Sequence, residues 1–201
     1  MASISLKYKS KNGNLTAPGD ADPGAMIPIA TVTVGSGGSS TITFSNIPQN
    51  YEHLQVRLIA KQDYGSGTAD YSNLNVRFNS DSGSTKASHR LSGNGSTASA
   101  GASTTDTYGR LGYQTVPNTW SGFANVFGVA VIDILDYANT SKYKTTRSLA
   151  GFDGNGYGYI NLNSSVWQST SAITQIDFTP DLPSFTQYTT FALYGIKRAG
   201  A

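Results

Sequence analysis

The chain has no cysteine and a single glutamate, Glu52, in 201 residues. The first absence excludes a disulfide framework and any thiolate metal site. The second means that a glycosidase-type carboxylate pair would have to be drawn from aspartates. Charged residues make up 13% of the sequence and the formal net charge is +2, far from the dense basic balance of a dedicated nucleic-acid binder. No apolar run approaches the 18 or more residues that read as a membrane span. The opening MASISLKYKSKNGNL also lacks the continuous apolar segment of a signal peptide. The expectation is a soluble chain with no nucleic-acid and no membrane partner.

Catalytic side chains are scarce as well. The only histidines are His53 and His89; His53 follows Glu52, but neighbours in a strand point to opposite faces. No Gly-x-Ser-x-Gly elbow occurs. Most aspartates fall in turn-like contexts such as DADPG, NSDSG and FDGNG, while Asp133 and Asp136 sit where an apolar strand ends and read as solvated carboxylates. SGNGSTASAGAS has no lysine and no following amphipathic helix, so it is no phosphate loop. FDGNGYGY starts like a calcium loop at Asp153 and Asn155, but its twelfth position is Ser164 where a glutamate is required. A tight hairpin accounts for its Asp-Gly and Asn-Gly pairs through their tolerance of positive φ. The chain reads as a non-enzymatic protein with no cofactor and no metal.

What is present is β-forming. Strong helix formers are few, whereas Thr, Val, Ile, Tyr and Phe suit a pleated, half-buried surface. EHLQVRLIAK alternates Leu54, Val56, Leu58 and Ala60 against Gln55, Arg57 and Lys61, and NLNVRF repeats the pattern. IATVTV and STITF flank GSGGS, a hairpin candidate. FANVFGVAVIDIL, residues 123–135, is apolar on both faces, which places it either at the centre of a two-layer packing or at a subunit interface. Further strands are expected at 143–151, 157–162, 172–179 and 187–196, with room for one helical turn in NSSVWQST. The fold class that follows is all-β: an antiparallel β-sandwich, jelly-roll-like, over residues 29–201. Residues 1–28, rich in Gly and Pro, read as an extended N-terminal arm in which Lys7, Lys9 and Lys11 share one side.

Two stretches point toward binding. RLSGNGSTASAGASTTDTYGRLG, residues 90–112, has almost no large apolar side chain and reads as a long surface loop. GYGYINLNSSVW supplies aromatics that stack on sugars or anchor protein interfaces when they stand on sandwich loops. Asn94, Tyr108, Tyr157, Tyr159 and Trp167 are the candidate surface-recognition residues. Lys142, Lys144 and Arg147 around Tyr143 form a modest basic patch, too small for nucleic acid.

ITFSNIPQNYEHLQVRLIAK, ILDYANTSKYKTTRSLAG, WQSTSAITQIDFTP and the terminal FTQYTTFALYGIKRAG together resemble small virion proteins of tailed bacteriophages, including cyanobacterial and marine phages. The likeness covers residues 27–198. It implies a non-enzymatic β-sandwich exposed on the virion surface, made in the bacterial cytoplasm. The partners implied are other virion proteins, the major capsid protein or tail proteins, with the chain itself a homotrimer. A short arm in place of a long shaft favours a capsid decoration or cement protein anchored through the arm, with Lys7, Tyr8, Lys9 and Met26 as candidate contacts. The alternative is a tail-fibre or receptor-binding protein that contacts a host surface glycan.

Overall fold

The computed structural model describes residues 25–63, 71–115 and 125–198, with backbone alone at 8–9, 15–16 and 114–115. In chain order the strands are β1 (Tyr8–Lys9), β2 (Leu15–Thr16), β3 (Met26–Thr33), β4 (Ile42–Phe44), β5 (His53–Ala60), β6 (Gln62–Asp63), β7 (Tyr71–Phe78) and β8 (Lys86–Gly93). They continue with β9 (Ala98–Asp106), β10 (Gly109–Thr115), β11 (Gly128–Ile134), β12 (Lys144–Asp153), β13 (Gly158–Trp167), β14 (Ile176–Pro180), β15 (Ser184–Phe185) and β16 (Thr190–Ile196). All pairings are antiparallel. Among the described residues there is no helix.

The protein is a β-sandwich of unequal layers. One sheet has eight strands in the order β3-β16-β5-β11-β12-β13-β8-β9, and the other has four, β10-β7-β14-β4. The jelly roll expected from the sequence has eight strands in all; here the larger sheet alone has that number. β1-β2 and β15-β6 form two short ribbons of their own, and Phe185 of β15 packs on Phe191 in the core.

Strand alternation turns every second residue of the larger sheet inward. Beneath β16, β5 and β11 the interior is apolar: Val56, Ile132, Phe191 and Leu193 are buried against Phe44, Val76, Ile176 and Phe178 of the smaller sheet. Phe178 and Phe191 join the layers with ring centroids 5.1 Å apart. Burying a side chain such as Ile132 contributes roughly 2 kcal/mol. Beneath β12, β13 and β8 the interior is polar. Ser148 Oγ donates to Leu111 O at 2.7 Å, Arg110 N donates to Ser88 Oγ at 3.0 Å, and Ser88 and Ser165 hydroxyls lie 2.9 Å apart. Buried hydroxyls need such partners, and here the partners include the backbone of β10 in the opposite layer. A bulge in β10 between Arg110 and Tyr113 allows this approach. Its Gly112 has φ +113°, and an added Cβ would lie 2.9 Å from Ala150 Cβ.

Several expectations are corrected here. GSGGS does not close a hairpin, because β3 pairs with β16 in the larger sheet while β4 pairs with β14 in the smaller. The chain changes layers at that glycine-rich turn. Residues 90–112 form no long loop; most of them build the edge hairpin β8-β9, closed at Asn94–Thr97, and the start of β10. NSSVWQST forms no helical turn, since Asn163–Trp167 belong to β13. Trp167 is no surface-recognition residue: it is buried at 3% exposure, packs on Phe78 and donates from Nε1 to Asp81 Oδ2 at 2.6 Å. Its place at the inward end of an alternating strand requires this. The apolar stretch at 123–135 is central in its sheet, but only one face is core. Ala130, Ile132 and Ile134 are buried while Val129 and Val131 are exposed, and Phe123 and Ala124 lie outside the described residues.

Candidate functional site: the outer face of the larger sheet

The residues that alternate outward from the larger sheet fall into registered rows. The first runs Thr190, Ile59, Val129, Gly151, Ile160, Gly93. The second runs Ala192, Arg57, Val131, Leu149, Leu162, Leu91. Seven large aliphatic side chains in these rows, from Ile59 to Leu91, are 38% to 61% exposed. Isolated exposed apolar residues are ordinary on a protein surface; seven in adjacent register on one face form a contiguous patch of the kind that interaction sites use.

The third row is polar: Tyr194, Gln55, Asp133, Arg147, Ser164, His89. Gln55 Nε2 donates to Asp133 Oδ1 at 2.9 Å, and Arg57 Nε donates to Gln55 Oε1 at 3.0 Å. That bond draws the Arg57 guanidinium toward the polar row and leaves its alkyl stem over the apolar one. Arg147 has no carboxylate partner among the described residues.

At the other end of the face two hairpin turns border a groove of about 870 Å³. Its apolar surfaces come from Val129, Val131, Leu149 and Ile160, and its rim includes Asn94, Gly95, Asp153 and Tyr157. Both turns follow from local sequence. Asn155 and Gly156 have φ of +58° and +109°, the type I′ signature, and Asp153 Oδ1 accepts from Asn155 N at 2.8 Å. In the other turn Gly95 has φ +89°, while Asn94 Oδ1 accepts from Ser96 N and Thr97 N at 3.1 and 2.8 Å. The carboxylate that opened the calcium-like phrase is thus engaged in its own turn.

Asn94, far away in sequence from Tyr157 and Tyr159, therefore meets them at one groove. Tyr159 has a mainly structural setting, with its ring 4.7 Å from that of Tyr71 and 5.4 Å from that of Tyr113 at the end of the sandwich. Burial pushes the Tyr71 hydroxyl upward in pKa, and the neighbouring Tyr113 and Tyr159 add to the effect. Tyr108 lies away from the groove, half-buried with the Arg77 guanidinium 4.6 Å from its ring centre. Lys7 and the side chains of Tyr8 and Lys9 lie outside the described residues; the backbone of Tyr8 pairs with Thr16 and that of Lys9 with Leu15. Met26 opens β3, half-buried and paired with Ile196, so it belongs to the sandwich's larger sheet.

A second polar group gathers at Glu52, His53 and Asp136, whose candidate ligand atoms lie within 4.8 Å of one another. Glu52 precedes β5, so strand alternation does not separate it from His53. Internal partners already occupy the group: His53 Nδ1 accepts from Asp136 N at 3.0 Å, Lys142 Nζ lies 2.6 Å from Asp136 Oδ2, and Arg198 Nε lies 3.5 Å from Glu52 Oε1. The Lys142 hydrogen bond is the main reason that the Asp136 carboxyl is held below its ordinary pKa, against the opposing effect of burial. Asp133 is placed elsewhere, in the polar row.

A pocket of about 280 Å³ lies between the edge hairpin and β10, lined by Asn73, Arg90, Ser103, Arg110 and Asn163 among others. Arg110 reaches Asp106 at 3.4 Å and Asp181 at 3.6 Å. Buried Arg90 Nε, Ser103 Oγ and Asn163 Oδ1 have no protein hydrogen-bond partner, an arrangement that suits ordered water.

The functional feature that sequence reasoning did not assemble is the pair of apolar rows. Its signal was the two-faced apolarity of 123–135, repeated more weakly in SLAG and YINL. The geometry defines a class, a β-sandwich carrying an uncovered apolar sheet face with a groove at one end. Comparison with known proteins adds no closer relationship: no family model, no curated protein and no solved structure matches the chain.

Proposed function

We propose that this chain is a non-enzymatic structural protein of a bacteriophage particle that works by surface burial. Its best-supported place is as an exposed capsid decoration or cement protein, held through its N-terminal segment and packed through the outer face of its larger sheet. The observation that carries the assembly reading is the pair of apolar rows centred on Val131 and Leu149, exposed on the outer face of the larger sheet. The phage setting comes from the sequence resemblance. Lys7, Tyr8 and Lys9 remain the proposed contacts of the N-terminal segment.

The test is gold-labelled antibody against the protein on intact particles. Label over the head supports decoration, label confined to the tail supports adhesion, and unlabelled particles overturn the reading. A chain shortened to begin at residue 25 keeps β3 intact, and the expected result is a folded sandwich that no longer binds capsids.

A second reading rests on the groove. Asn94, Asp153 and Tyr157 place amide, carboxylate and aromatic groups around one concavity, a chemistry suited to a host surface glycan. Glycan-array binding by the protein with this face free, lost on Tyr157→Ala, is the expected result. An array without hits removes this reading.

A further inference from the structure

Resting on the reading of the outer face as an assembly surface, we propose that its occupant is a second copy of this chain. The two copies are related by a two-fold axis that runs along the strands between β11 and β12. The strand order places four strands on each side of that line, β3, β16, β5 and β11 against β12, β13, β8 and β9. Rotation about it lays β11 over β12 of the other copy and β5 over β13, while the register keeps each row facing itself. Such a contact is isologous and closes on itself.

The side chains agree with that operation. Val131 comes to face Leu149 of the second copy, and Ile59 comes to face Ile160, each contact made twice. In the polar row Asp133 comes to face Arg147 and Arg147 to face Asp133. Four charges then alternate around the axis, and Arg147 gains a carboxylate from the other copy. Arg57 faces Leu162 with its alkyl stem, because its Nε is held 3.0 Å from Gln55 Oε1 in the polar row.

The size is sufficient. Eight strands at about 4.8 Å spacing and seven residues at about 3.4 Å rise give a face of roughly 900 Å². A stable interface needs about 800 Å² per partner. Identical twisted sheets pack face to face with their strand directions within about 30°, which an axis close to the strand direction provides. An apolar centre with a polar margin is the expected interface anatomy.

Sedimentation equilibrium of the full chain tests this. The expected mass is twice 21.2 kDa; a monomer or a trimer overturns the proposal. Leu149→Glu is expected to give a monomer that still unfolds cooperatively, because Leu149 is already 53% exposed and its loss does not touch the monomer's core. The decisive arm uses charge. Asp133→Arg places four positive charges around the axis and Arg147→Asp places four negative ones, so each variant alone dissociates at least about a hundredfold more readily. Mixed together, the two variants put opposite charges face to face again and are expected to form a heterodimer. Failure to do so overturns the two-fold even if the wild-type chain is dimeric. Gold labelling of particles separates this proposal from the assembly reading: a charge-rescued dimer absent from particles sinks the reading and supports the two-fold. A monomer that binds particles through an intact Leu149 does the reverse.

Discussion

Asp81 shows how one partly buried ion pair ties the smaller sheet's exit to the larger sheet. Its carboxylate accepts from Trp167 Nε1, Thr85 Oγ1 and Gly83 N, and it lies 3.1 Å from Lys86 Nζ, a cation only 2% exposed. Burial alone would raise the Asp81 pKa, but these four donors outweigh it and hold the carboxyl well below the ordinary carboxylate range. A depressed folded-state pKa stabilises the fold above the unfolded value, about 3.9, and loses that contribution as pH falls below it. Asp81→Asn is expected to cost roughly 3 kcal/mol at neutral pH, because it removes the counter-charge beside the buried Lys86 side chain. Urea denaturation measures that loss. The difference between wild type and variant should shrink in titrations carried below about pH 4; a difference unchanged by acid would show that the ion pair is not its source. Nothing in NSDSGSTK or VWQST announced this pair. Asp81 and Lys86 are only five residues apart, but NSDSG reads as an ordinary turn and the Trp167 that completes the site lies 86 residues beyond Asp81.

At the scale of elements, turn chemistry was legible and strand partners were not. Asn155-Gly156 has the backbone angles that its sequence requires, and it sets the β12-β13 register that aligns Leu149 with Leu162. Gly156→Val forces a β-branched residue to φ +109°, where L side chains are strained. The expected cost is about 1–3 kcal/mol, read as a lowered thermal midpoint, with the overall β circular-dichroism signal retained. An unchanged midpoint would mean that the turn readily adopts another conformation. β9 carries no strand signal because Ala98–Asp106 has no apolar alternation; it is an edge strand held by backbone pairing to β8 across the turn at Asn94–Thr97. GSGGS is ambiguous for a different reason. Alternation identifies strands on each side of it but does not say that they join different layers.

For the whole molecule, two neighbouring residues on β11 separate folding from assembly. Ile132 is fully buried and Val131 is 38% exposed on the outer face. Ile132→Glu is expected to abolish cooperative folding, since it places a carboxylate without a partner in the apolar half of the interior. Val131→Glu is expected to change the monomer's stability by less than about 1 kcal/mol while weakening self-association. Thermal unfolding and sedimentation on the same preparations read both effects. A Val131→Glu chain as unstable as Ile132→Glu would mean that the outer face is part of the fold's own core.

The sequence by itself determined the strand class, the positions of most strands and the turns whose glycine and asparagine residues adopt positive φ. Those properties depend on side-chain period and local backbone sterics, both of which operate within a few residues. The tertiary structure alone decided that two-faced apolarity leaves one face covered and one open. It also decided that Trp167 turns inward and that Asn94 meets Tyr157 at one groove. These outcomes depend on which sheet lies over which, a balance of packing among segments distant in the chain, and no local pattern carries that information.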